Sequence, residues 1–126
     1  MSNVVSEWME RAESDFRVAQ RESTVTTEPS YDAVCFHAQQ CAEKYLKAHL
    51  QEHGVQFPRT HSLIELLELA LTIDQGFELQ RPNLILLDRY AVRYRYPGDS
   101  ADRDEARQVW AALRQFRASA RQRLGL

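Results

Sequence analysis

Tyr31-Asp32-Ala33-Val34-Cys35-Phe36-His37-Ala38-Gln39-Gln40-Cys41-Ala42-Glu43-Lys44-Tyr45-Leu46-Lys47-Ala48 is the stretch on which the fold turns. Val34, Cys35, Ala38, Cys41, Ala42, Tyr45 and, further on, His49 recur every three or four residues, the spacing of one face of an α-helix. Most are small, and small side chains let helices approach closely. This segment, extended to about Glu52, is therefore expected to be the central helix of a bundle. Ser30 is placed to cap its start and Gly54 its end. Phe36 and Leu50 fall on the opposite side with Glu43 and Lys47, and apolar groups there suggest a second packing surface such as a dimer contact.

Outward from this helix, Pro29, Gly54, Pro58, Gly76, Pro82, Pro97 and Gly98 cut the chain into five pieces, each with helical rather than strand periodicity. The first helix is expected over about Val4–Glu22, with Val5, Trp8, Met9, Ala12, Phe16 and Ala19 facing inward and Glu7, Glu10 and Glu13 projecting elsewhere. A third begins after Ser62, which with Glu65 has capping-box spacing, and ends at Asp74-Gln75-Gly76. A fourth runs from near Pro82 to just before Pro97, with Leu84, Leu87, Ala91 and Tyr94 buried and Asp88 paired with Arg95. The fifth runs from near Asp99 or Ser100 to about Arg123, with Ala106, Val109, Leu113, Phe116 and Ala120 inside. The expected architecture is one all-α domain, residues 1–126, an antiparallel bundle of about five helices.

The 126 residues carry 16 Lys+Arg against 18 Asp+Glu, and 44% are hydrophobic, an ordinary globular composition. No apolar run is long enough to span a membrane, and the N-terminus does not read as a secretory signal. Cys35 and Cys41, on one helix, stand roughly 9 Å apart along its axis, too far to bridge. Two buried thiols in a reducing cytoplasm are expected, with no metal and no cofactor. The net charge of −2 argues against indiscriminate nucleic-acid binding over the whole surface. It conceals an asymmetry, however. Residues 1–80 hold 6 Lys+Arg and 13 Asp+Glu, while residues 81–126 hold 10 Arg and 5 Asp+Glu. A localised anion site on the last two helices fits this pattern.

Three groups of residues have the chemistry for such a site. Arg103, Arg107, Arg114, Arg117 and Arg121 form one stripe along the fifth helix, with Trp110 at its edge. Guanidinium forks suit phosphates, and an indole can stack on a base. The plainer reading is a solvated charged face. Arg89, Arg93 and Tyr96 share a face of the fourth helix at i, i+4 and i+7, where two like charges call for an anion between them. Alternatively, the arginine stems only cover apolar surface. His37, Gln40 and Lys44 line the border of the buried stripe on the second helix. Arg59 and His61 precede the third helix, whose N-terminus favours anions. No phosphate loop, dinucleotide fingerprint or nucleophile elbow is present.

Several of these stretches together resemble the HEPN domain family: Trp8 with Ala12 and Phe16, the segment Tyr31–Ala48, Phe57-Pro58-Arg59-Thr60-His61-Ser62-Leu63, and Arg93-Tyr94-Arg95-Tyr96-Pro97. The likeness spans nearly the whole chain. It implies a four-to-five helix bundle, usually a homodimer, with an RNA- or nucleotide-related role. Many members accompany a minimal nucleotidyltransferase in a toxin–antitoxin pair, and others are metal-independent ribonucleases. The ribonucleases share an Arg followed after four to six residues by His, late in the chain. That motif is absent, because the four histidines are His37, His49, His53 and His61.

The leading expectation is therefore a nucleotide- or RNA-binding protein, partner of a minimal nucleotidyltransferase, with His37, Gln40, Lys44, Arg59, His61, Arg89, Arg93 and Tyr96 holding phosphate and base. One alternative is a ribonuclease toxin with an atypical site drawn from Arg93, Tyr96 and His37. Another is a structural dimer or scaffold whose arginine stripe meets an acidic protein. Modification of Tyr94 or Tyr96 by the partner is a further alternative.

Overall fold

The computed structural model describes residues 1–92 and 96–126. Five α-helices follow in order: α1 (Asn3–Thr24), α2 (Tyr31–Glu52), α3 (Leu63–Leu71), α4 (Arg81–Asp88) and α5 (Arg103–Arg123). A 3₁₀ segment, Gln75–Gln80, leads into α4. No strand occurs among the described residues.

Each long helix starts where a short polar side chain can take an orphan amide. Ser2, Ser30 and Asp102 accept from the N–H three residues on, at Val5, Ala33 and Glu105. Ser62 does the same for Glu65, but the reciprocal half of the expected capping box is not made. The Glu65 carboxylate accepts from Thr60 Oγ1, and the same Thr60 oxygen accepts the Ser62 N–H. A turn in the preceding loop thus supplies what Glu65 would have supplied. Gly54, at φ +68°, ends α2, with its N–H donating to Gln51 O and that of Val55 to Leu50 O.

α2 sits at the centre, in contact with α1, α3, α4 and α5. Its small face works as expected: Val34, Cys35, Ala38, Cys41, Ala42 and Tyr45 are all buried. The core continues through Ala12, Phe16 and Ala19 of α1, Leu63, Leu66 and Leu67 of α3, and Val109, Leu113 and Phe116 of α5. Most of the expected second face of α2 is covered by the chain itself, with Phe36 only partly buried. Leu50 is fully buried, and Glu43 and Lys47 are buried with it. A central helix in a five-helix packing is covered on nearly all sides by its own chain.

The fourth helix is shorter than the spacing predicts. It ends at Asp88, and Arg89-Tyr90 form a turn. Two tertiary contacts account for the break. Asp88 Oδ1 accepts the Leu63 N–H at 2.7 Å, capping α3, and Tyr90, itself buried, donates its hydroxyl to Glu105 of α5 at 2.8 Å. Asp88 is thus engaged with α3, and its expected partner Arg95 lies, with Arg93 and Tyr94, outside the described residues. Arg89 and Tyr96 no longer share a helical face. The start of α5 also moves, to Arg103 rather than Asp99 or Ser100, because Asp102 is the cap and Ala101 N–H is held by Asp32 Oδ1 at 2.7 Å.

Candidate functional site

The residues expected to hold an anion divide into those already engaged by the protein and those left open. His37 and Lys44 belong to the first group. α1 brings the largely buried carboxylate of Asp15 between them, with His37 Nδ1 at 2.8 Å and Lys44 Nζ at 2.5 Å. Gln40 donates to Gln39 Oε1 at 2.7 Å, and Gln39 in turn donates to the His61 carbonyl at 2.9 Å. His61 Nδ1 lies 3.0 Å from Glu43, which also accepts from Lys47 at 3.1 Å. The three polar residues of α2 do lie along one border, but acids and amides of the fold occupy the place an external anion would take.

The arginine stripe of α5 splits in the same way. Arg117 grips Glu13 with Nε at 2.8 Å and Nη2 at 2.5 Å, and Arg121 lies 3.5 Å from the same carboxylate. Glu13, expected to project away from the core, therefore closes α1 onto α5. It also accepts the Tyr45 hydroxyl at 2.6 Å. Burial alone would raise the Glu13 carboxyl pKa. The hydrogen bonds from Arg117 and Tyr45 and the charges of Arg117 and Arg121 outweigh burial and hold it below its ordinary value. Burial and the bond to Glu13 push the Tyr45 hydroxyl up to about 12. Arg117 also lies over Phe16, 3.9 Å from the ring centroid, and Phe16 stacks on Trp110 at 5.1 Å.

Arg103, Arg107 and Arg114 form the open group. All three are exposed, and none makes an ion pair among the described residues. Arg114 approaches the Trp110 ring to 5.7 Å. Arg103 and Arg107 flank a recess of about 560 Å³ between the N-terminal half of α5, the end of α1 and the α1–α2 loop. Tyr31, Val34, Ala106, Trp110, Thr24 and Thr26 complete most of its wall. The loop reaches it through Glu28, whose φ of +51° turns the chain in the left-handed region. The sequence reading missed Tyr31 and Thr26 because nothing local signals where a polar loop will lie against another helix. Arg59 and Arg89 are exposed elsewhere, and Tyr96 is 87% exposed. These three do not line the recess.

His49 and His53 stand at i, i+4, a spacing compatible with metal binding. His53 Nδ1 is engaged by the His49 carbonyl at 3.0 Å, and no group of three metal-ligating side chains occurs among the described residues. No described helix is long and apolar enough to cross a membrane.

The helical arrangement has solved counterparts. The chain is similar to TT1696 from Thermus thermophilus, at 26% identity and a TM-score of 0.75, covering 97% of this chain and 99% of that one. It is also similar to ST0689, an archaeal HEPN homologue, at 22% identity and a TM-score of 0.73, covering 97% and 98%. No curated protein matches it. Residues 5–123 match the HEPN domain, and the chain belongs to that family.

Proposed function

We propose that this HEPN protein binds nucleotide or single-stranded RNA, without cutting it, on the N-terminal half of α5. The observation that carries the reading is the trio Arg103, Arg107 and Arg114, exposed and outside any ion pair among the described residues, grouped about Trp110. Cations beside an aromatic ring are what single-stranded nucleic-acid sites combine. The lack of the late Arg–His pair supports binding over cleavage. The family resemblance supports a homodimer acting beside a minimal nucleotidyltransferase in a toxin–antitoxin module. Leu79 and Ile85, exposed on neighbouring turns, offer apolar surface for such assembly.

Titration of labelled ATP and a short labelled RNA at 50 and 200 mM salt tests the reading. Three phosphate contacts on a single strand give a log–log salt slope of about −2, a loss of roughly twentyfold across that range. The triple variant R103A/R107A/R114A should remove most of the binding. No binding to either probe, alone or with an added nucleotidyltransferase partner, overturns the proposal. RNA that is bound and then cleaved favours the ribonuclease alternative.

A further inference from the structure

We infer that the recess beside Arg103 and Arg107 holds one nucleotide unit ending in a phosphate monoester, either a free mononucleotide or the phosphorylated end of an RNA. The inference rests on the nucleotide-binding reading above and narrows it to a ligand class.

Charge and shape point the same way. Arg103 and Arg107 are one helical turn apart on one face, so their side chains leave α5 about 5–6 Å from each other and both border the recess. Two unpaired guanidiniums converging on one small volume match a dianion better than the single charge of a phosphodiester. A phosphate monoester has that second charge at neutral pH, with a second pKa of about 6. Arg103 is also the first residue of α5, where the helix dipole favours anions.

Of the acids nearby, Glu28 of the α1–α2 loop and Asp104 of α5 are exposed to solvent, and three others are engaged within the fold. Asp102 accepts the Glu105 N–H, Glu105 accepts the Tyr90 hydroxyl, and Asp32 accepts the Ala101 N–H. The rest of the wall suits the remainder of a nucleotide. Trp110 and Tyr31 supply aromatic surface for a base, Val34 and Ala106 an apolar floor, and Thr26 a hydroxyl for a ribose, while the Thr24 hydroxyl donates to the Arg21 carbonyl. At about 560 Å³ the recess falls within the range of small-ligand sites.

Calorimetric titration of the full chain with AMP, inorganic phosphate, and one RNA hexamer carrying a terminal phosphate or only hydroxyl ends tests this. AMP, the phosphorylated hexamer or both should bind at least about tenfold more tightly than the hydroxyl-ended hexamer and than phosphate alone. Which of the two binds identifies the source of the ligand. Affinity for the monoester should fall as pH drops from 7 to 5 and the phosphate loses its second charge. The double variant R103E/R107E should abolish the preference. R103Q/R107Q, milder for folding, should weaken binding by about tenfold or more. Equal affinity for both hexamers with no AMP binding overturns the inference and leaves nucleic-acid binding standing. Binding of inorganic phosphate as tight as AMP also overturns it, because the aromatic wall would then contribute nothing. Failure of every nucleotide probe overturns both this inference and the reading beneath it.

Discussion

Glu13 and Arg117, 104 positions apart, form a two-pronged pair that ties the first helix to the last. The same carboxylate accepts Tyr45 from the central helix, so three helices meet on one acid. Glu13→Ala leaves two guanidiniums and a phenol facing an empty site. Stability to urea should fall by about 1–3 kcal/mol. Because the folded pKa of Glu13 lies below its unfolded value, its contribution is present above the unfolded pKa and is lost as pH falls through the folded one. Acid titration of stability below about pH 4.5 should therefore be shallower in Glu13→Gln than in the wild type.

His49 is 3% exposed, and neither ring nitrogen has a hydrogen-bond partner. Its ring packs edge-on to Phe77 at 4.7 Å and beside His53 at 4.6 Å. Burial, then the neighbouring His53, lowers its pKa from 6.5 to about 4, with Asp74 opposing and Arg123 adding to the effect. In the unfolded chain the ring takes up a proton near 6.5, so stability is lost as pH falls from 6.5 towards 4. The loss attributable to this residue is on the order of 2 kcal/mol. His49→Leu should flatten the pH profile of the urea midpoint over that window and leave stability at pH 7 equal or higher. An unchanged slope would contradict this account.

Lys44 and His37 were candidates for ligand binding, but their partner is Asp15. Lys44→Ala and His37→Ala should lower thermal stability while leaving affinity for AMP or RNA within about twofold. Arg107→Ala should do the reverse. Melting curves and titrations on the same preparations separate the two effects.

Gly76 is where the 3₁₀ segment meets the end of α5. A Cβ there would stand 2.5 Å from one guanidinium nitrogen of Arg123 and 2.9 Å from Asp74 Oδ1, which already accepts the Gly76 N–H. Arg123 pairs with that same Asp74. Gly76→Ala should displace Arg123 and cost about 1 kcal/mol, and the cost should shrink once Arg123 is replaced by Ala. A double-mutant cycle in urea measures the coupling.

Cys35 and Cys41 are both buried and unbridged. Burial, then the charges of Glu13 and Asp15, pushes the Cys41 thiol well above its usual pKa. A thiol reagent such as Ellman's should label neither residue quickly in the folded protein. Both should react at a common rate set by unfolding, with full reaction in denaturant.

Much of this was legible in the sequence, and for a definite reason. Helix number, the central place of α2, and the caps at Ser30 and Ser62 follow from signals within a few residues, namely three-and-four spacing, small side chains and hydroxyls before apolar runs. The excess of arginine over acid in the last 46 residues is also a property of the chain alone. Which arginines remain available is not. Arg107 and Arg117 occupy equivalent places on one helical stripe, yet Glu13 reaches only the second. That choice depends on how α1 crosses α5, as the early end of α4 depends on Asp88 finding the Leu63 N–H. Partners many positions apart in sequence leave no local periodicity to read. Helices were therefore determined by local pattern, whereas the division of polar residues into structural pairs and an open recess was decided only by tertiary packing.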